Sequence, residues 1–336
     1  MKIGKVSESV LKRSVLKQIK TKRSEVLNGA GIGEDCAILA FRETENCAVS
    51  TEPIVIENGR TVRHAVIKSV NNLAAGGAEP VAVMIAAMLP ESIEEPEIKS
   101  LMAEAENICK ELNIQLAGGH TSVSAAVNKP VLTVTGIGKT VQVFVESNSQ
   151  KEDLKTASSK AGLDIVATKW MALEATAVLA KEKETDLLTK YPTHLVEEAK
   201  GFEKYLSVIP EAATAVKSGA IAMHDASEGG MFGALWELAE KLGVGLEIDL
   251  KKIPVKQETI EVCEYFDLNP YELLSGGSLL VAAKDGFDLV NRLAKENIPA
   301  TVIGKTTDNN DRVVIKDEER RFLEPRKTDE IYKVKF

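Results

Sequence analysis

The sequence predicts an α/β chain built as two layered domains, and three observations carry that prediction. Helical and extended segments alternate along most of the chain. A polar stretch, residues 146–162, interrupts the alternation near the middle. And 336 residues, 44% of them hydrophobic, suffice for two separate cores. The division falls into a domain over 1–147, a linker over 148–159 and a domain over 160–336.

In the first half, Val62, Ala65, Val66, Ser69, Val70 and Leu73 mark a helix that stops at Gly76 and Gly77, because paired glycines are poor helix formers. Ile98, Leu101, Met102, Ala105, Ile108, Cys109 and Leu112 form a one-sided stripe at helical spacing, so residues 97–112 pack as a helix on a sheet. A short strand over 114–116 follows, then a longer one over 131–137 between Pro130 and Gly138. The second half predicts strands at 164–167, 221–223, 244–250, 279–283 and 301–303. Helices at 171–183, 195–206, 211–217, 231–242 and 288–296 separate them.

A net charge of −8 and 4% aromatic residues argue against a nucleic-acid surface. No apolar run reaches the roughly 18 residues of a membrane span, and the start of the chain carries no apolar signal core, so a cytoplasmic protein is expected. Cys36, Cys47, Cys109 and Cys263 are scattered without a CxxC pair, which indicates neither a zinc site nor a disulfide framework. The basic run Lys12, Arg13, Lys17, Lys20, Lys22, Arg23 reads as a solvated helix face.

The chemistry-bearing residues fall in short glycine-containing segments. Gly31-Ile-Gly-Glu-Asp-Cys-Ala-Ile-Leu39 places Gly33, Glu34 and Asp35 at a turn before a strand, suited equally to an Mg²⁺ site and to an acidic hairpin. Ser50-Thr51-Glu52-Pro53 puts a carboxylate at a strand end. Asn71 and Asn72 sit on the first helix, ahead of glycines that serve either a ligand or a helix cap. Gly118-Gly-His-Thr-Ser122 can present backbone N–H groups to an anion, with His120 and Thr121 adding side-chain bonds. His224-Asp-Ala-Ser-Glu-Gly-Gly230 runs from a strand into a helix that Ser227 would cap. Glu228 would complement its dipole, and its free N–H groups would receive a phosphate. Leu274-Ser-Gly-Gly-Ser278 is a tight turn or the floor of the same pocket.

In this order, GIGEDCAIL, STEP, NNLAAGGAEP, AGGHTSVS, HDASEGG and LLSGGSLLVA resemble the motif series of the aminoimidazole ribonucleotide (AIR) synthetase superfamily, over roughly residues 25–305. Among its members the chain is most similar to HypE-like hydrogenase maturation proteins and AIR synthase-related proteins, with thiamine-monophosphate kinase and selenophosphate synthetase more distant. The resemblance implies a PurM-like two-domain α/β (α+β) fold whose N-terminal sheet domain dimerises. It also implies ATP with Mg²⁺ and an acceptor that ATP activates or phosphorylates. Asp35 and Glu52 would hold the metal. Gly31, Gly33, Thr51, Asn72, Gly118, Gly119, His120, Thr121, Ser227, Gly229, Gly230, Ser275 and Gly276 would contact nucleotide, and His224, Asp225 and Glu228 would be catalytic.

This chain departs from the family pattern by Glu52 and Asn72 where aspartates are usual, and by His120 and Ser122 after the paired glycines. The thinning of carboxylates predicts fewer or weaker metal sites. HypE proper carries its carboxamide on a C-terminal cysteine, whereas residues 264–336 contain none, which speaks against that reaction in its usual form. Three readings stay open: an ATP-dependent enzyme, a nucleotide-binding scaffold without turnover, and a maturation factor whose cysteine lies on a partner.

Overall fold

The computed structural model describes residues 3–31, 36–140, 160–325 and 328–336. They form two compact units. The first comprises the described residues up to Thr140 other than Ala75–Gly77; the second comprises that trio and the residues from Lys160 onward. The expected linker 148–159 lies outside the described residues. No described helix is long and apolar enough to cross a membrane.

The first unit runs β1 (Gly4–Lys5), α1 (Glu8–Val10, continued by a π-turn over Leu11–Val15), β2 (Val26–Asn28), β3 (Ile38–Leu39) and β4 (Asn46–Val55). Then come α2 (Val62–Ala75), β5 (Glu79–Leu89), α3 (Glu95–Glu111), β6 (Gln115–Val123) and β7 (Val131–Thr140). Its five-stranded sheet has the order β1-β6-β5-β7-β4, with only β5 and β6 parallel.

Helix α2 ends where the sequence places its stop. The Ala78 N–H reaches back to Leu73 O at 2.9 Å and Gly77 takes φ +80°, a closure that glycine adopts without strain. Helix α3 begins with a backbone N–H of Glu94 donating to Glu97 Oε2 at 2.8 Å, and it buries Ile98, Met102, Ala105, Ile108 and Cys109 as the stripe predicts. Helix α2 approaches the sheet closely because β7 offers Gly136, where a Cβ would lie 2.8 Å from Ser69 Oγ.

The second unit runs β8 (Asp164–Thr168), α4 (Leu173–Glu182), α5 (Glu184–Leu187), α6 (Thr193–Lys200), α7 (Ile209–Lys217), β9 (Ala222–Asp225) and α8 (Gly230–Leu242). It continues with β10 (Gly245–Asp249), α9 (Gln257–Phe266), β11 (Leu279–Ala283), α10 (Gly286–Lys295), β12 (Ala300–Thr307), β13 (Arg312–Lys316) and β14 (Glu319–Phe322). Its seven-stranded sheet has the order β14-β13-β10-β12-β8-β11-β9. One core packs α8 on that sheet through Met231, Leu235 and Leu238 against Ile165, Leu280 and Ile303. A second joins α4, α6 and α9 and receives Ile331 from a 3₁₀ turn over Glu330–Lys333. The helix expected over 195–206 is shorter, because after Lys200 the chain tightens into a 3₁₀ turn at Gly201–Tyr205.

Candidate functional site

The paired glycines of the first unit sit within a strand and not after one. Strand β6 runs through Gly118 and Gly119 to Val123, and its register with β5 slips by one residue between Val83 and Met84, a bulge at Ala117 just before the glycines. Gly119 holds φ +148°, and a Cβ there would lie 2.0 Å from Ile85 O, so only glycine fits. The far side of β6 is open at this point, since β1 pairs only with Ser122 and Val123.

A cavity of about 360 Å³ lies beside that open stretch. It is lined by Gly29, Ala30, Gly31 and Cys36, by Gly118, Gly119, His120 and Thr121, and by Lys5. Leu11, Val15, Leu16 and Ile19 form an apolar wall. The arrangement suits a ligand with an anionic end and an apolar body: an unpaired strand edge and a lysine can receive the first, and the aliphatic wall the second. Of the predicted nucleotide contacts, Gly31, Gly118, Gly119, His120 and Thr121 meet here, while Gly33 and the expected metal ligand Asp35 fall outside the described residues. Sequence reasoning missed Lys5 and the apolar wall, whose signal was an amphipathic pattern around the basic run.

Glu52 and Asn72, distant in sequence, come together at the opposite edge of the sheet. Asn72 Nδ2 donates to Glu52 Oε1 at 2.8 Å and to Ser50 Oγ at 3.1 Å, and Lys68 Nζ stands 3.1 Å from Glu52 Oε2. Strands β5 and β7 separate this cluster from β6, a distance of roughly 14 Å at one strand spacing per step. Thr51 projects from the other sheet face, where its hydroxyl meets that of Thr135 at 3.0 Å. Thr51 and Glu52 therefore do not line one site.

Glu52 is a poor fit for a divalent cation as it stands, because an ammonium and an amide N–H already engage its oxygens. No group of three or more His, Cys, Asp or Glu side chains disposed to hold a metal occurs among the described residues.

In the second unit, the His224–Gly230 segment is fastened by the C-terminal segment. Asp329, 2% exposed, accepts hydrogen bonds from the N–H groups of Gly229 (2.6 Å), Leu274 (3.2 Å) and Ile331 (2.9 Å). Burial pushes its carboxyl pKa up, against the lowering effect of those three bonds. Tyr332 donates to Glu228 Oε1 at 3.1 Å.

The expected cap by Ser227 is not what forms. Gly229 occupies the N-cap position with φ +89° and no side chain caps it; Ser227 contributes its carbonyl, which accepts from Gly230 and Ser275. The N–H of Gly229, expected to be free for phosphate, is taken by Asp329. A Cβ on Gly230 would meet Tyr271 O at 2.5 Å.

His224 and Asp225 are consecutive in β9 and project to opposite faces of the sheet. His224 Nε2 meets Glu237 Oε2 of α8 at 2.7 Å. Asp225 is buried, and its charge acts on Lys241, whose ammonium burial holds below the usual lysine value. Ser275 is wholly buried, donating to Leu273 O at 2.8 Å and accepting from the Ala172 N–H at 2.8 Å. A Cβ at Gly276 would lie 2.0 Å from Glu174 Oε2. Ser275 and Gly276 thus hold loops together.

The fold and these glycine-bearing segments define a two-unit α/β protein of the AIR synthase type. The chain belongs to the AIR synthase related protein family, matching its N-terminal domain over residues 33–140 and its C-terminal domain over 160–317. It is 25% identical over 287 residues to a hydrogenase expression/formation protein of Methanocaldococcus jannaschii, covering 84% of this chain and 80% of that one. It is 26% identical over 318 residues to thiamine-monophosphate kinase of Haemophilus influenzae, covering 88% of each. A crystal structure of the hydrogenase maturation protein HypE in complex with ATP superposes with a TM-score of 0.75 at 16% identity, covering 96% of this chain and 95% of that one.

Proposed function

We propose that this chain binds ATP through the glycine-lined cavity of its first unit and uses it to activate or phosphorylate an acceptor. The observation that carries the reading is the open edge of β6 at Gly118–Gly119, facing a cavity that also holds Lys5. Backbone N–H groups on this open strand edge would receive phosphate oxygens, Lys5 would offset their charge, and Leu11, Val15 and Leu16 would shelter the base. The family membership and the ATP held by HypE support the same ligand.

Mg²⁺ would supply charge neutralisation to a bound triphosphate. Of the two acids the resemblance gives it, Glu52 is already engaged by Lys68, so its role as a ligand is weakened. Two of the four thiols are poorly placed to carry an acceptor. Cys109 and Cys263 are buried, each with its pKa pushed up to about 12, chiefly by burial.

The chain is proposed to act as a homodimer through the sheet face opposite α2 and α3. Val49 (62% exposed), Met88 (43%) and Val55 (38%) expose apolar side chains on that face beside Thr51 and Thr135.

Thermal shift with ATP, ADP and a non-hydrolysable analogue, each with and without Mg²⁺, tests the reading. Stabilisation by ATP is expected; no shift under any condition contradicts it. A shift without turnover on any candidate acceptor would favour a nucleotide-binding scaffold.

A further inference from the structure

The same N-terminal turn that walls the cavity carries a second surface of a different kind. Leu16 N–H bonds to Leu11 O five residues back, a π-turn that widens the helix, and such turns recur at functional sites. Its aliphatic side chains face the cavity, while Lys12, Arg13, Lys17 and Lys20 are exposed. Arg13, Lys17 and Lys20, with Lys99 of α3, surround a surface depression of about 350 Å³.

Charge sets this surface apart from the rest of the molecule. Residues 1–23 hold eight Lys or Arg against one Glu, in a chain whose net charge is −8. Three of these cations are matched: Lys12 pairs with Glu8 at 2.6 Å, Arg23 pairs with Glu25 at 2.9 Å and Glu79 at 2.8 Å, and Arg13 makes a two-pronged pair with Glu95, which also accepts from Ser14 at 2.7 Å. Lys17 and Lys20 have no ion-pair partner among the described residues, and Glu95 is the one carboxylate lining the depression. The Arg13–Glu95–Ser14 contacts fix the rim, so unpaired ammonium groups surround a formed hollow and not a frayed end.

We propose that this depression docks an acidic segment of a partner protein. Complementary charge at such a surface accelerates encounter and fixes orientation. A protein segment fits better than a nucleic acid. The negative remainder of the chain would repel a long polyanion, and no aromatic side chain lines the depression to stack a base. This inference rests on the charge and shape of the N-terminal surface and stands apart from the nucleotide reading.

The test is fluorescence anisotropy with a short fluorescein-labelled glutamate-rich peptide, run with the full-length chain, the K17E/K20E/K99E variant and a K284E/K295E/K305E control on the second unit. The wild type is expected to bind, with affinity falling as salt rises from about 50 to about 300 mM. The N-terminal reversals should weaken binding at least about tenfold and the control less than about twofold, with melting unchanged in both. Absence of binding, or equal weakening by the two variants, overturns the proposal. So does displacement of the peptide by a single-stranded oligoribonucleotide at lower concentration than by unlabelled peptide.

Discussion

The carboxylate of Asp329 accepts a 2.6 Å hydrogen bond from the backbone N–H of Gly229, one hundred residues earlier, and so closes the N-terminal turn of α8 in place of a local cap. The same side chain holds Leu274 at the start of the Ser275–Ser278 turn. Asp329→Ala leaves three backbone donors without this acceptor and is expected to destabilise the second unit by about 3 kcal/mol. Asp329→Asn keeps one acceptor oxygen and should cost less. Urea unfolding of the two variants measures the difference; equal, small losses would show that the contact is dispensable.

Gly119 makes a sharper demand. Its φ of +148° and the 2.0 Å separation between a hypothetical Cβ and Ile85 O leave no room for a side chain there. Gly119→Ala is expected to cost about 3 kcal/mol or more, because β5 and β6 must part to admit the methyl group. Gly118→Ala meets only the flexible end of Met84 at 3.2 Å and should be tolerated better. Thermal denaturation of the pair ranks them, and a reversed order would contradict the register described.

Arg13 holds the Glu95 carboxyl down to about 2, with Ser14 adding to the effect. A carboxyl whose pKa is lowered in the folded state contributes stability above its unfolded value, and that contribution fades as pH falls from about 4.3 toward 2. Carbon-detected NMR titration of the Glu95 side chain should show the low midpoint, and Arg13→Gln should return it toward the ordinary glutamate range. An unshifted midpoint in the wild type would remove the pair from the account.

Glu52 already has its cation in Lys68. Glu52→Gln is accordingly expected to change the Mg²⁺ concentration needed for any ATP-induced stabilisation by less than about twofold, since tight Mg²⁺ sites require carboxylate oxygens left free to coordinate. A tenfold rise would restore Glu52 as a metal ligand.

The elements built from local pattern were legible in the sequence. Helix α3 shows its stripe at Ile98, Met102 and Ala105, and α2 its stop at Gly77, because periodicity and glycine act within a few residues. The expected strand over 114–116 ends before Gly118 and Gly119, since paired glycines carry no strand preference; pairing with β5 overrides that and carries β6 through them to Val123. The strand expected over 221–223 stops two residues short of the end of β9, which hides the alternation that sends His224 and Asp225 to opposite faces. Asp329, Lys5 and Lys68 were silent because their partners lie far off in sequence or carry no motif. A lone aspartate near the end of a chain announces nothing until the fold brings Gly229 to it.

The binding claim is tested most directly at Cys36, an exposed thiol that lines the cavity, against Cys47, an exposed thiol on β4 outside it. Single-thiol labelling kinetics of the Cys47→Ser and Cys36→Ser variants would be followed with a maleimide, with and without saturating ATP. ATP should slow modification of Cys36 by at least about tenfold and leave Cys47 within about twofold, since a bound ligand excludes reagent only from its own pocket. If ATP stabilises the protein yet leaves Cys36 labelling unchanged, the nucleotide does not occupy the Gly118–Gly119 cavity.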